Sequence, residues 1–261
     1  DKRVMGLLVE RGRILGLLEE YLNFGAYPKV VLTRDKDLKK KILKTYYDTT
    51  FYKDLIERYE FPATELDLFL RYCIKNYAKY VSISKTYNYL KSLHVKIGKQ
   101  RLIEFLKAAN EVFFLFPSKI FSYSVKNAEQ YPKKIYAVDT GIINVLNERL
   151  EIGRLMENLV ALQLVRQGIR LNYWREYGKQ EGKEVDFVVK EGLNVKQLIQ
   201  VTYASARDGV SNREIKALLK ASELLNCKDL LIITWDFEAE EEIKSKKIRF
   251  VPLWKWLLGN L

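Results

Sequence analysis

The sequence is poor in the residues that build disulfide scaffolds and Cys/His metal centres. Its 261 residues include two cysteines, Cys73 and Cys227, and one histidine, His94. Two cysteines exclude a multi-disulfide scaffold and favour a cytoplasmic location. A tetrahedral Cys/His zinc site needs more ligands than these three distant residues supply. A histidine-based nucleophilic triad would have to use His94, the only histidine in the sequence.

The sequence also has no long apolar run. Its longest apolar stretches, residues 112–116 and 230–234, are far shorter than the ~20 residues that a membrane-spanning helix needs. The first residues show no signal-peptide pattern. Hydrophobic residues make up 48% of the chain and aromatic residues 13%, which excludes a disordered protein. At roughly 100–200 residues per domain, the length predicts two compact domains or three small ones. Abundant Lys, Glu, Ile and Tyr are typical of a thermophile.

Positive charge is concentrated in the middle of the chain. The net charge is +12, and residues 61–140 alone hold 13 basic against 6 acidic residues. Such a segment suits a polyanion partner, because its cations displace counterions from phosphates. A lysine-rich solvated surface explains the same excess without a partner, so both interpretations stay open.

Hydrophobic periodicity predicts an α+β, multi-domain chain. Helices are expected at residues 4–22, 36–49, 51–59, 65–79, 82–90, 98–109, 154–167, 212–224 and 252–258. Strands are expected at residues 112–116, 120–123, 134–138, 172–175, 184–189, 198–203, 230–234 and 248–251, with a solvated helix or turn at the acidic run 238–242. Three helices followed by strands is the order of a winged helix-turn-helix. The last part is an α/β layer arrangement with a mixed central sheet.

The middle segment carries candidate nucleic-acid contacts. They are Lys99, Gln100, Arg101 and Lys107 on the helix over residues 98–109, and Lys126, Lys133 and Lys134 in the wing. On a recognition helix, exposed cations hold phosphates and an amide such as that of Gln100 reads a base edge. Winged helices also serve as protein–protein modules, so a partner-binding role without nucleic acid stays open.

The last segment places carboxylates and amides on one predicted sheet face. Glu184 and Asp186 lie two residues apart on one strand, as Gln200 and Thr202 do on the next, so each pair shares a face. Glu157 lies on an apolar helix face, where an unpaired carboxylate is costly. Oxygen ligands of this kind suit Mg²⁺, which can activate water for attack on a phosphodiester. The candidate metal ligands are Glu157, Glu184, Asp186 and Gln200; the candidate catalytic residues are Glu157, Asp186, Gln200 and Thr202.

Simpler roles for these carboxylates stay open. Glu157 could form an ion pair with Arg170 or Arg175, and Glu184 and Asp186 could lie on a solvated edge.

The order of these motifs resembles known families. A helix glutamate, Glu184-Val185-Asp186 on a strand and a two-spaced polar pair on the next strand are similar to the PD-(D/E)xK restriction-endonuclease-like core. More closely, residues 157–160 (ENLV), 173–175 (YWR), 184–189 (EVDFVV) and 199–202 (IQVT) resemble the C-terminal domain of unknown function in a family of archaeal and bacterial AAA-type ATPases. Residues 21–28 and 52–58 resemble the lid region of that family, and residues 133–141 resemble its winged-helix exit.

The resemblance implies three domains beside an ATPase core. Residues 1–60 would be a helical lid remnant, residues 61–140 a winged helix-turn-helix, and residues 150–261 a restriction-endonuclease-like α/β domain. No G-x-x-x-x-G-K-[ST] loop occurs, so ATP would bind only through a domain upstream of Asp1. A chain that begins with Asp1 is accordingly expected to be processed or to be the downstream part of a longer protein.

The resemblance also implies a function. Gln200 and Thr202 stand where the nuclease pattern has an acidic residue and a lysine, so a degenerate nuclease-like domain is expected. The leading hypothesis is a cytoplasmic DNA-binding or partner-binding module, with DNA, the upstream ATPase domain and a second copy of the chain as candidate partners and no membrane contact. A Mg²⁺-dependent endonuclease and a protein-interaction module without nucleic-acid contact are the alternatives.

Overall fold

The architecture is that of a computed structural model, which describes residues 2–122, 124–176, 182–192 and 194–259, with side chains for all of these except residues 2–8 and 125–127. The helices are α1 Lys2–Phe24, α2 Pro28–Leu32, α3 Lys36–Thr49, α4 Ala63–Lys75, α5 Ile83–Ser92, α6 Lys99–Glu111, α7 Val125–Gln130, α8 Thr140–Leu146, α9 Ile152–Arg166, α10 Asn212–Leu224 and α11 Leu253–Leu257. The strands are β1 Lys79–Val81, β2 Leu115–Ile120, β3 Lys133–Ala137, β4 Asn172–Arg175, β5 Glu184–Val185, β6 Phe187–Glu191, β7 Asn194–Val201, β8 Asp229–Thr234, β9 Ala239–Ile243 and β10 Lys246–Pro252.

The first part of the chain is helical, as its periodicity predicts. α3 begins at Asp35, whose side chain accepts a hydrogen bond from the backbone N–H of Leu38. The separate helix expected over residues 51–59 is not separate, because α3 continues directly into a π-helical segment, Thr50–Glu57. This segment buries Phe51 and Leu55 against the core.

The turn after α1 is fixed to the start of α8. Asp139 caps α8 by accepting a hydrogen bond from the backbone N–H of Gly141 at 2.8 Å, and its other oxygen accepts from the N–H of Ala26 at 2.9 Å. Gly25 adopts φ +74°, and a Cβ there would lie 1.7 Å from the Asp139 carboxylate. A Cβ on Gly141 would lie 2.3 Å from the carbonyl oxygen of Phe24. Two segments far apart in sequence therefore meet in backbone contact.

The first sheet has the strand order β1-β3-β2-β4-β5, with β2 and β4 parallel and the other pairs antiparallel. The strands expected at residues 112–116 and 120–123 are wrong in their bounds. Residues 112–114 form a turn in which Phe113 has φ +58°, and a single strand, β2, follows. α7 then occupies part of the expected charged connection, while Tyr123 lies outside the described residues.

The second sheet has the order β6-β7-β8-β10-β9, parallel in its centre and antiparallel at both edges. α10 crosses from β7 to β8 and begins with a capping box formed by Ser211 and Glu214. Two predictions are wrong here. The strand expected over residues 184–189 breaks at Asp186, where the chain passes from the first sheet to the second, and the acidic run 238–242 lies largely in β9 instead of a helix or turn.

One hydrophobic core joins the parts of the chain. Its buried residues include Leu18 of α1, Leu70 of α4, Leu159 of α9 and Ile233 of β8. A second cluster lies on the other side of the second sheet under α10, and both free cysteines are buried. Among the described residues, no helix combines the length and apolarity needed to cross a bilayer. α9 is buried in the first core over much of its length, and this position brings Glu157 to the two sheets.

Candidate functional site

A buried lysine lies at the centre of the predicted carboxylate cluster. The ammonium nitrogen of Lys134 is 2.9 Å from Glu157 Oε1, 2.8 Å from Asp186 Oδ1 and 2.5 Å from Glu184 Oε1. Lys134 is 3% exposed, and Glu157 and Asp186 are 8% and 4% exposed. We call these four residues the Lys134 cluster.

Several elements position the Lys134 cluster. Lys134 and Tyr136 are two residues apart on β3 and therefore share a face, and the Tyr136 hydroxyl donates to Glu157 Oε1 at 2.7 Å. Glu157 projects from α9, while Asp186 lies in the break between β5 and β6. The second oxygen of Asp186 accepts from the backbone N–H of Val201 at 3.0 Å. Glu157 is thus held by α9, and Glu184 and Asp186 are held by one segment at the junction of the two sheets.

Burial and charge shift the pKa values of the cluster in opposite directions. Burial, with the Asp186 charge adding to it, raises the pKa of Glu157 to about 7, although Lys134 and Tyr136 act against the shift. Burial also raises the pKa of Asp186. At Glu184 burial is outweighed by the charge and hydrogen bond of Lys134, which lower the pKa. Three carboxyl groups therefore share one ammonium, and burial raises the pKa of two of them while Lys134 lowers the pKa of the third.

Gln200 and Thr202 lie beside the cluster. Gln200 is 7% exposed, and its amide oxygen has no hydrogen-bond partner among the described atoms. A small cavity of about 270 Å³ lies there, lined by Glu184, Gln200, Ser211, Arg213, Glu214 and Ala217. Burial, with Asp186 nearby, raises the pKa of Glu214, whose carboxyl also interacts with the Thr202 hydroxyl. The sequence-predicted residues therefore come together, with Glu214 as an unpredicted neighbour.

The residues do not fit a metal ion in this arrangement. The cluster offers the oxygen ligands that Mg²⁺ prefers. However, the Lys134 ammonium lies 2.5–2.9 Å from three of the four predicted ligand residues, where a cation would have to sit. In the part of the chain that the structure describes, no group of three or more His, Cys, Asp or Glu residues is arranged to hold a metal. Mg²⁺ binding stays a prediction that this geometry does not support.

The candidate nucleic-acid contacts on α6 lie at the surface. Lys99 and Gln100 are exposed in its first turn, with the Lys99 ammonium 3.2 Å from the Ser84 hydroxyl. Arg101 pairs with Glu104 at 3.0 Å, and Lys107 lies 3.7 Å from Glu111. No acidic residue occurs from position 77 to 103. The exposed cations of α5, α6 and the segment between them that fall in this stretch, which we call the α5–α6 basic face, are Lys85, Lys91, Lys96, Lys99 and Arg101.

The wing lysines divide into different environments. Lys133 is half-buried, 3.5 Å from Glu129, and the side chain of Lys126 lies outside the described residues. The prediction that Lys134 contacts phosphate is wrong. The alternation of β3 directs its side chain inward, and three carboxylates surround its ammonium. The sequence pattern that could have revealed this is the Lys134–Tyr136 spacing on a predicted strand.

Two family models match adjoining parts of the chain. Residues 15–153 match the family described as "Domain of unknown function (DUF8612)", and residues 152–256 match "Domain of unknown function (DUF4143)". The boundary between them falls at the start of α9. In the Lys134 cluster, the lysine therefore comes from the first part, and its three carboxylates come from the second.

Relatives of known sequence are longer than this chain. The chain is 36% identical over 258 residues to the uncharacterized protein MJ1544 of Methanocaldococcus jannaschii, covering 96% of this chain and 57% of that protein. It is 25% identical over 241 residues to an uncharacterized protein of Haemophilus influenzae, covering 91% of this chain and 57% of the other. The chain thus spans somewhat more than half the length of these relatives.

The similarity of this chain to a solved structure is much weaker than its match to the family models. A chain in the half-complex of Thermococcus gammatolerans McrB AAA+ hexamers with bound McrC has a TM-score of 0.32 and 15% identity, over 74% of this chain and 52% of that one. A likeness this weak carries no argument. The first family model, by contrast, covers more than half of the residues. The chain belongs to the DUF8612 family, and its C-terminal part is similar to the DUF4143 domain.

Proposed function

We propose that this chain is a DNA-binding module that works beside an AAA-type ATP-binding core, with the α5–α6 basic face as its contact surface. The observation that carries the proposal is the absence of acidic residues between positions 77 and 103, together with the exposure of the five cations of the α5–α6 basic face. Exposed cations with few acidic neighbours are what phosphate contact requires, because each contact releases counterions from the nucleic acid.

The geometry of α6 supports a role in groove contact. α6 begins at Gly98, whose position has no side-chain cap, and Lys99, Gln100 and Arg101 form its first turn. Helix-turn-helix proteins contact base edges with the N-terminal residues of the recognition helix. α4, α5 and α6 pack beside the antiparallel strands β1, β3 and β2, which supports the winged-helix interpretation.

The association with an ATPase rests on the second part of the chain. The DUF4143 domain, which residues 152–256 match, often accompanies AAA-type ATPases. The longer relatives leave room for an ATP-binding core outside the part that this chain covers. We propose that the restriction-endonuclease-like domain is degenerate and serves this assembly as a binding and structural part in the cytoplasm.

DNA binding is tested by fluorescence anisotropy with a labelled duplex over a salt series. We expect binding at 50 mM salt that weakens steeply as salt rises, and about a 10- to 100-fold loss of affinity in the double variant Lys99→Ala/Arg101→Ala. The matched control is Lys216→Ala/Lys228→Ala, which removes the same charge from exposed positions elsewhere. Equal losses in both variants would point to net charge alone, and no binding at low salt would exclude the proposal.

Two other functions are separated by simple outcomes. A Mg²⁺-dependent endonuclease is favoured by the buried Gln200 oxygen next to Glu184, which has no hydrogen-bond partner among the described residues. This function would require Mg²⁺-dependent nicking of supercoiled DNA that Asp186→Ala abolishes. A protein-interaction module would show neither nicking nor salt-dependent DNA binding, while still associating with its partner.

A further inference from the structure

We propose that Lys134 is the resident cation of the carboxylate cluster, and that its ammonium keeps divalent metal ions out of this site. The lysine belongs to the part of the chain that matches DUF8612, and Glu157, Glu184 and Asp186 belong to the part that matches DUF4143. One domain therefore fills the acidic site of the other. This inference does not depend on DNA binding by the α5–α6 basic face.

The hydrogen-bond count supports a complete site. A lysine ammonium has three N–H donors. Around Lys134 there are three acceptors, one carboxylate oxygen from each of Glu157, Glu184 and Asp186, at 2.9, 2.5 and 2.8 Å. The contacts with Glu157 and Asp186 have the distances of charge-assisted hydrogen bonds, and the contact with Glu184 is a close ion pair. With three carboxylate oxygens within 2.9 Å of the ammonium nitrogen, a divalent cation bound to the same oxygens would have to displace the ammonium.

The surroundings show what the site would bind without its lysine. Three carboxylates would then lie at or near the interior with no ammonium among them, and buried negative charge demands a counterion. Gln200 adds a buried amide oxygen that has no partner among the described atoms. Carboxylate and amide oxygens are ligands for hard divalent cations. The cluster is thus a divalent-cation site in which a lysine takes the ion's place.

The lysine also excludes metal electrostatically. A divalent ion at these carboxylates would lie within a few ångströms of the Lys134 ammonium, and like charges at that separation repel strongly in a poorly screened interior. β3 pairs with both β1 and β2, so the sheet fixes the backbone of Lys134. Its contacts with the three carboxylates then hold the ammonium in the cluster.

The test compares Mn²⁺ binding by the whole chain and its variants, measured by electron paramagnetic resonance of free Mn²⁺ and by thermal unfolding. The unsubstituted chain should bind no more Mn²⁺ than Asp186→Asn does. Lys134→Met, which keeps a side chain of similar length without the charge, should bind one Mn²⁺ per chain. Its unfolding temperature should rise by about 5–10 °C at an ion concentration about 100 times the dissociation constant.

The control for the site is Lys134→Met/Asp186→Asn, which should lose both responses. Binding of Mn²⁺ by the unsubstituted chain that Asp186→Asn abolishes would overturn the exclusion. A folded Lys134→Met chain that ignores Mn²⁺ would overturn the cation site. If Lys134→Met does not fold alone, refolding with Mn²⁺ becomes the readout: recovery supports the proposal, and failure with Mn²⁺ overturns it.

Discussion

Asp139 is a buried carboxylate whose environment makes it a titrating group near pH 6. It is 3% exposed and accepts backbone hydrogen bonds from Ala26 and Gly141. Burial raises its pKa from 3.8 to about 6, although these hydrogen bonds and the charge of Arg166 act against the shift. The folded chain therefore binds this proton more tightly than the unfolded chain does.

The sign of the pH dependence follows from that difference. Between pH 4 and pH 6 the folded state binds more protons at Asp139, so the contribution of this group to stability falls as the pH rises. The contribution is fully present below the unfolded pKa and is lost above about pH 6, and two pKa steps correspond to about 3 kcal/mol.

Substitution of Asp139 tests this. Relative to Asp139→Asn, the unsubstituted chain should lose up to about 3 kcal/mol of unfolding free energy between pH 4 and pH 7, measured by urea denaturation. Comparison with the variant cancels the titration of other groups. Asp208→Asn, which removes a carboxylate from an exposed position, is the matched control. Parallel profiles for Asp139→Asn and the unsubstituted chain would contradict the assignment.

At the scale of single residues, the sequence predicts which carboxylates belong to the Lys134 cluster better than it predicts the contacts that they make. Alternation places Glu184 and Asp186 on one face, and the apolar stripe of α9 marks Glu157 as unusual; all three meet at Lys134. The sequence predicts Lys134 on the surface of the wing, because a lysine in a basic segment does not reveal a carboxylate partner such as Asp186, 52 residues away. Contacts across such separations depend on the register of the sheets, which periodicity does not fix.

At the scale of elements, the contact between the α1 turn and α8 depends on two glycines. Gly141→Ala should destabilise the chain by about 1–3 kcal/mol, because the new methyl group would lie 2.3 Å from the Phe24 carbonyl oxygen and the backbone must move. Gly16→Ala is a matched control on the exposed side of α1, where a Cβ has no neighbour within 4 Å.

The stability of the control variant Gly16→Ala should change in the opposite direction. Alanine favours a helix over glycine by up to ~1 kcal/mol, so Gly16→Ala should be neutral or stabilising. Urea denaturation of both variants measures the difference. Equal stability of Gly141→Ala and the unsubstituted chain would mean that the two segments are not in close contact.

Elements with strong periodicity or caps are predicted well. The expected ranges 36–49, 172–175 and 212–224 coincide with α3, β4 and α10. The sequence does not predict β9, because its run of glutamates is typical of a solvent-exposed helix or turn. The strand forms because it pairs with β10, where Glu240 lies opposite Arg249 and Glu242 opposite Lys247. The sequence also does not predict the break at Asp186, because the pattern of apolar residues over 184–189 continues through the point where the chain passes from one sheet to the other.

At the scale of the whole molecule, one hydrophobic core includes residues from all the predicted parts, and the second cluster lies almost wholly within the last part. Buried residues from α1 to α11 form one continuous cluster that includes α9. Polar contacts also join the ends of the chain: Arg11 of α1 binds the Asp236 carboxylate at 2.7 Å, and Trp254 donates to the same carboxylate at 3.2 Å. Composition and length predicted several domains, but only packing determines whether they are independent.

A shared core predicts a single unfolding transition. We expect calorimetry of the whole chain to give one peak with equal calorimetric and van't Hoff enthalpies, since neither part can lose its partner and keep its apolar surface buried. A fragment of residues 152–261 should keep most of the second cluster but unfold at a lower midpoint than the whole chain, because α9 would lose its packing against the first part and Glu157 and Asp186 would lose Lys134. Adding Lys134→Met to the whole chain should lower the midpoint of its single peak without dividing it. Two resolved peaks, or a fragment that unfolds cooperatively at the midpoint of the whole chain, would show instead that the two parts fold independently and that the Lys134 cluster contributes little to joining them.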